Sequence, residues 1–198
     1  MKKPFTMTAL AFLLTLACSG VQAYTFTPPD YDVYDLAHKE YYTWGIAVPW
    51  DIVPDPWYEE VVGASLFIHS IWNWDNNPND LWIHLLDDAP LGLTVGTDGE
   101  DGVDQFAGQG VLLVEYHNLG TTPQDLWYFF DDAQIAALNA YAADGVFAIA
   151  FDPDCHFYNC GVTLDVGTER MEVPEPATMG LVGLGITLLG LIRARRKA

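Results

Sequence analysis

The last 25 residues of the chain, 174–198, set the limits of what the remainder can fold into. Pro174, Glu175 and Pro176 open this tail, and the two prolines keep the segment extended. A run of 16 mostly apolar residues follows at 177–192, which is short beside the about 20 that a membrane-spanning helix needs. Basic residues after such a run favour the cytoplasmic side, so the pattern predicts a C-terminal membrane anchor. The basic residues are Arg193, Arg195, Arg196 and Lys197.

The order of these parts resembles the PEP-CTERM sorting signal of Gram-negative surface proteins. The resemblance covers residues 174–198 alone. It implies that Pro174, Glu175 and Pro176 form the sorting motif and that the partner is exosortase, a membrane-embedded sorting enzyme. It also implies a precursor held in the inner membrane, a mature form at the outer surface or in the extracellular matrix, and a link to exopolysaccharide and biofilm. Hydropathy alone leaves open an ordinary single-pass anchor that is never cut.

The other end of the chain has the pattern of an export signal. Positive residues at 1–3 precede an apolar stretch at 8–17, and Val21-Gln22-Ala23 fits the small-x-small rule for signal peptidase. The sequence therefore predicts a signal peptide over 1–23 and Tyr24 as the first mature residue. A lipid-carrying Cys18 is the alternative, because residues 16–19 loosely match a lipoprotein box.

The segment between the two ends, 24–173, has the length of one domain and is strongly acidic. It keeps two basic residues, Lys39 and Arg170, against 26 acidic ones, which gives a formal charge of −24. Phosphate contacts need Lys and Arg, so this charge argues against binding to nucleic acid or to an anionic membrane surface. Such a charge either keeps a secreted protein soluble or calls for divalent cations that offset the repulsion.

Hydrophobic patterning within this segment indicates a mainly β domain. Short β-branched and aromatic runs alternate with turns, and one alanine-rich segment, 131–141, predicts a helix with an aspartate cap. The turn at 75–80 predicts a hairpin between strands at 61–74 and 81–86. We expect a jelly-roll-like β-sandwich with one short helix; an immunoglobulin-like sandwich is the alternative. Further strands are predicted at 24–29, 41–48, 91–95, 111–116, 146–151 and 161–166.

Two cysteines remain in the predicted mature domain, Cys155 and Cys160. An even count in an oxidising compartment predicts a disulfide that closes the short loop between them. A zinc site that includes His156 is the alternative, although it lacks an evident fourth ligand.

Three acidic segments carry the hard oxygen ligands that Ca²⁺ prefers, so Ca²⁺ is the cofactor the sequence suggests. Each also has a simpler interpretation as a polar turn or a solvated loop. The candidate calcium ligands are Asp152 and Asp154, Asp75 and Asn77, and Asp98 and Asp101.

No catalytic constellation stands out from the sequence. There is no Gly-x-Ser-x-Gly elbow, and the histidines lack metalloprotease spacing. Tryptophans beside carboxylates and amides can stack sugar rings, and Trp50, Trp57 and Trp74 are the candidates. We therefore expect a non-catalytic domain that binds extracellular polysaccharide. The alternative is a secreted hydrolase that uses a pair of carboxylates on the same class of substrate.

Overall fold

The structure is a computed structural model that describes residues 20–29, 31–53, 57–99 and 102–172. The sorting motif Pro174, Glu175 and Pro176 lies outside the described residues, as do Asp101, Cys18 and most of the predicted signal peptide. In the described ranges, no helix is both long enough and apolar enough to cross a membrane.

Six antiparallel strands form the first sheet. Its long central strand, Trp57–Asn73, pairs along most of its length with the last strand, Val162–Glu172. The strand order is β1-β11-β4-β10-β2, and β8 also pairs with β4. The bounds are β1 Gln22–Phe26, β2 Asp35–Leu36, β4 Trp57–Asn73, β8 Gln124–Phe129, β10 Phe157–Tyr158 and β11 Val162–Glu172.

Five antiparallel strands form the second sheet, in the order β6-β3-β9-β5-β7. One α-helix, α1, spans Asp132–Tyr141, and 3-10 turns span Tyr31–Tyr34 and Ala142–Asp144. The strand bounds are β3 Glu40–Ala47, β5 Asp80–Leu86, β6 Gly92–Thr97, β7 Val111–His117 and β9 Val146–Pro153.

The core lies between the two sheets, as the alternation along β9 shows. Phe147, Ile149 and Phe151 point inward and are fully buried. The ring of Phe147 packs against Phe26 from the first sheet, with ring centroids 6.4 Å apart. A side-chain period of two puts the intervening residues of β9 on the outer face. The predicted two-sheet sandwich with one short helix is confirmed, while its jelly-roll connectivity stays a prediction.

The helix begins as its sequence predicts, at an aspartate cap. The Asp131 carboxylate accepts a hydrogen bond from the Gln134 backbone N–H at 2.8 Å, and the Gln134 side chain accepts one from the Asp131 N–H at 3.0 Å. This reciprocal capping box satisfies two backbone donors that the first turn would otherwise leave unpaired. Leu138 lies on the inner face of α1 and is fully buried, so the helix covers part of the sandwich core.

The predicted hairpin across residues 75–80 is wrong. β4 belongs to the first sheet and β5 to the second, so the chain crosses between sheets at this turn. The core-facing residues of β5 explain why no hairpin forms with β4. Leu81 and Ile83 are fully buried, and they reach the shared core by pairing with β9 rather than with β4.

A loop at 102–110 covers part of the outer face of the second sheet. Phe106 is 4% exposed and packs edge-on against Tyr41, with ring centroids 5.4 Å apart. Leu86, Ala148 and Ala150 complete a second, smaller apolar cluster beneath it. Burial of Phe106 therefore holds this loop against β9, next to Asp152. We call residues 102–110 the acidic loop, because they carry Asp104 and follow the acidic residues at 98–101 in the sequence.

Candidate functional site

Four acidic side chains lie near one another at one end of the second sheet: Asp98, Asp104, Asp152 and Asp154. β6 and β9 end here, and β3 and β5 begin here. Two main-chain bonds extend the ladder past the strands: Asp98 N–H donates to Lys39 at 2.8 Å, and Asp154 N–H donates to Asp80 at 2.9 Å. Sheet register thus brings together residues more than fifty positions apart in sequence. Asp98 and Asp104 from one predicted acidic segment lie near Asp152 and Asp154 from another at this end.

Asp152 is the most enclosed acid at this end. The sequence suggested a loop carboxylate after a strand, but the structure places Asp152 inside β9 with only 1% of its surface exposed. Its Oδ2 accepts a hydrogen bond from the Gln105 N–H at 2.7 Å, and its Oδ1 is buried with no hydrogen bond to any described residue. Burial, followed by the negative charges of Asp98, Asp104 and Asp154, raises the pKa of Asp152 to about 6.

Backbone N–H groups of the acidic loop hold two further carboxylates near Asp152. Asp154 Oδ1 accepts from the Gly102 N–H at 2.6 Å, and Asp104 Oδ1 accepts from the Phe106 N–H at 2.9 Å. Asp104 Oδ2 also lies 3.0 Å from His84 Nε2. Asp98, like Asp152, is buried, whereas Asp104 and Asp154 are half-buried. Asp104 belongs to the same acidic stretch of the sequence, 98–104, as the predicted ligands Asp98 and Asp101.

A groove of about 320 Å³ lies on the other side of the Asp154 segment. Trp74 stands on its rim with 60% of its surface exposed, and its ring centroid is 6.4 Å from that of His156. A backbone hydrogen bond of 3.0 Å from Trp74 N–H to His156 C=O connects the two segments that carry these side chains. The lining residues are His38, Trp74, Asp75, Asn77, Pro78, Asp154, Cys155 and His156. Aromatic, carboxylate, amide and imidazole groups therefore share one open groove.

Asp75 and Asn77 lie in this groove and not in the buried carboxylate group. Asp75 Oδ1 accepts from the Asn77 backbone N–H at 2.9 Å, which is an Asx turn, and Asp75 Oδ2 accepts from the Asn77 side-chain amide. Each carboxylate oxygen of Asp75 thus accepts a hydrogen bond from Asn77 and can still accept another. The structure brings Asp75 and Asn77 beside Asp154, which is a neighbourhood that their sequence positions did not indicate.

Two of the three predicted stacking tryptophans are unavailable. Trp50 is 5% exposed and packs in the core against Tyr24 and Phe147, although its proline-rich surroundings suggested an exposed loop. Trp57 lies beneath the guanidinium of Arg170, which covers a face of its ring. Trp74 alone of the three presents an open ring.

The predicted Cys155–Cys160 disulfide is not formed, and both thiols are free. The segment between them runs along β4, with Phe157 opposite Asn73 and the Cys160 N–H donating to His69 at 2.7 Å. Five extended residues span roughly 16 Å. A disulfide needs Cα atoms within about 7 Å of each other, so this extended path keeps the thiols apart. Cys155 is buried and Cys160 is exposed.

A second group of potential metal ligands is exposed on the outer face of the second sheet. In the part of the chain that the structure describes, Asp80, Glu115 and His117 are the three residues whose ligand atoms all lie within 4.8 Å of one another. His117 Nδ1 is 2.5 Å from Asp80, and its Nε2 is 3.7 Å from Glu115. The imidazole already pairs with both carboxylates, so this group is satisfied as an ion-pair cluster.

An aromatic patch on the first sheet was missed by the sequence analysis. Trp127 and Phe129 on β8 are 55% and 71% exposed, and the Phe67 ring stacks on Trp127 with centroids 4.1 Å apart. Their outward direction follows from strict alternation along β8 with Leu126 and Tyr128, which pack toward the core. That period-two pattern was the available signal.

Comparison with known proteins identifies the C-terminal tail. Residues 172–197 match the family model of the PEP-CTERM protein-sorting motif, which confirms the resemblance. No curated protein matches the chain. A solved family two carbohydrate esterase from Cellvibrio japonicus aligns with 78% of this chain and 36% of its own, at 9% identity and a TM-score of 0.28. This chain spans about a third of the length of that structure.

The sorting motif indicates how the protein is exported and processed. A chain with this tail is an exported, membrane-anchored precursor that exosortase recognises and processes. The tail follows β11 directly, so the last strand of the sandwich leads into the segment that the enzyme recognises.

Proposed function

We propose that the sorted domain is displayed at the outer surface or in the extracellular matrix, where it binds polysaccharide without cleaving it. The observation that carries this proposal is the exposed ring of Trp74 on the rim of a groove whose other groups are polar. A pyranose ring has an apolar face that stacks on an indole and hydroxyls that bond to carboxylates and amides. Asp75, Asn77 and Asp154 supply such partners around Trp74.

The charge of the domain narrows the class of polysaccharide. The region 24–173 carries −24, and the groove itself contains Asp75 and Asp154. An anionic polymer would be repelled by both, whereas a neutral or amino-bearing polymer would not. The ligand we expect is therefore a neutral or partly cationic extracellular polysaccharide.

Affinity electrophoresis of the exported protein tests this proposal. Gels would contain a neutral glucan, chitosan or alginate, and retardation measures binding. We expect retardation by the neutral or the amino-bearing polymer and none by alginate. Trp74→Ala removes the stacking ring and should weaken binding tenfold or more, since about 1.4 kcal/mol corresponds to a factor of ten.

Trp127→Ala is the matched control, because Trp127 is a similarly exposed tryptophan that lies on β8 and does not line the groove. It should leave retardation unchanged. If Trp127→Ala abolishes binding and Trp74→Ala does not, the aromatic patch of β8 is the site and the proposal is wrong. Release of reducing ends from a retained polymer would instead indicate the hydrolase.

Processing has its own readout, which is the intact mass of the protein recovered from outside the cell. We expect a chain that begins at Tyr24 and lacks Ile192–Ala198. β1 begins at Gln22, so the predicted cleavage removes two residues of that strand and leaves Tyr24 as its new first residue. A recovered mass that still includes residues 192–198 would rule out tail processing.

A further inference from the structure

We propose that a single Ca²⁺ ion binds beneath the acidic loop, held by carboxylate oxygens of Asp98, Asp104, Asp152 and Asp154. Asp152 is the centre of this site, since its Oδ2 bonds to the loop and its Oδ1 is enclosed between β9 and the loop. The test of this inference does not require polysaccharide binding, although Asp154 lines both the Trp74 groove and the proposed ion site.

The first argument is the unpaired oxygen. Asp152 is 1% exposed, and its Oδ1 accepts no hydrogen bond from the described residues. A buried acceptor with no partner costs about 1–3 kcal/mol, and more when it is charged. The Nδ1 atom of His84 is likewise buried without a described partner, while its Nε2 faces Asp104. The buried, unpaired Oδ1 of Asp152 therefore indicates a ligand that the described residues do not supply.

The second argument is local charge. Four carboxylates lie near one another, two of them buried and two half-buried, and the predicted mature domain has only two basic residues, Lys39 and Arg170. Arg170 lies over Trp57 in the other sheet. Lys39 adds one positive charge at most, which leaves the group strongly negative. Buried charges of one sign are tolerated only when a counter-charge of similar size lies close to them.

The third argument selects the ion. Oxygen donors of Asp side chains suit hard divalent cations, and an irregular arrangement contributed by a loop and a strand suits Ca²⁺ better than the strict octahedron of Mg²⁺. The backbone donors already in place, Gly102 N–H to Asp154 and Phe106 N–H to Asp104, orient these carboxylates as outer hydrogen bonds do around metal ligands. Among the described residues, no three of these carboxylates have oxygens that all lie within 4.8 Å of one another, so the ion must draw the side chains together when it binds.

Calorimetric titration of the chelator-treated, exported protein with CaCl₂ alone tests the site. We expect saturable binding of about one ion per chain in the wild type. Asp152→Asn and Asp104→Asn remove charge with almost no change of shape and should each weaken binding at least tenfold. The matched control is Asp80→Asn in the exposed ion-pair cluster, which should change the affinity less than twofold.

Thermal unfolding of the wild type keeps the test independent of how the variants fold. A ligand that binds only the native state stabilises it, so CaCl₂ at about one hundred times its dissociation constant should raise the melting temperature by several degrees. Absence of both heat and a thermal shift at millimolar Ca²⁺ would overturn the proposal. Loss of binding in Asp80→Asn with retention in Asp152→Asn would also overturn it, because the ion would then sit in the exposed cluster.

Discussion

Replacement of Gln134 by Glu should destabilise the fold far more than one added charge explains. The Gln134 side chain is 6% exposed and satisfies all four of its hydrogen bonds. Its Oε1 accepts from Asp131 N–H at 3.0 Å and Tyr128 O–H at 2.9 Å. Its Nε2 donates to the carbonyls of Leu112 at 3.2 Å and Leu113 at 3.1 Å. The side chain therefore joins α1 to β7 and β8.

Glutamate has the same shape but no donor when ionised, so two carbonyls lose their partners and face a carboxylate. Each lost partner costs about 1–3 kcal/mol, and we expect a loss of about 3 kcal/mol in the free energy of unfolding at pH 7. Burial raises the folded-state pKa of such a carboxyl above its unfolded value of about 4.3. The destabilisation is then fully present above the folded pKa and is relieved as the pH falls toward the unfolded one.

Urea unfolding followed by tryptophan fluorescence at pH 7 and pH 5 measures this effect. Gln124→Glu is the control, because Gln124 is exposed on β8 and the substitution adds the same charge. This control matters in a domain whose formal charge is already −24. A difference of less than 1 kcal/mol between the two variants would refute the role of Gln134 as a buried connector.

Three further predictions follow from single contacts. Phe147→Ala should lower the free energy of unfolding by about 4 kcal/mol, measured by urea titration, because the ring is fully buried between the sheets; a loss under 1 kcal/mol would contradict this packing. In native protein a thiol reagent should label Cys160 at once and Cys155 only after unfolding, whereas a protein without free thiols would restore the disulfide. The hydrogen bond to Asp80 raises the pKa of His117 above 6.5, so this contact stabilises the fold at low pH and its contribution disappears as the pH rises through that raised value. Proton NMR should show the raised pKa, and Asp80→Asn should return it toward 6.5; an unchanged titration would disprove the pairing.

Local chemistry allowed much of the fold to be read from the sequence. The helix was predicted because an aspartate cap, early acids and alanines act within a few residues of one another. The alternation of Phe147, Ile149 and Phe151 identified a strand with one core-facing side. The turn at 75–80 was recognised as a turn, but turn chemistry does not say which sheet the next strand joins. That choice depends on pairing with β9, seventy residues away.

The site was predicted in pieces and not as an assembly. Asp98, Asp152 and Asp154 were singled out because carboxylates cluster in sequence, but their meeting at one end of a sheet depends on the register of β3, β6 and β9. Trp50 was placed in an exposed loop from its neighbouring prolines, whereas the aromatic rings that bury it come from β1 and β9. Asp104 lay in a predicted acidic loop, but its position beside Asp152 depends on the fold. Long-range pairing decided each of these outcomes.

The most direct test of the functional account is an NMR titration of the exported protein with the polysaccharide that retards it most. The account predicts that the indole N–H resonance of Trp74 shifts progressively and saturates, while that of Trp127 stays in place. A saturating shift at Trp127 with none at Trp74 would contradict the account. It would move the binding surface from the groove beside His156 to the aromatic patch of β8.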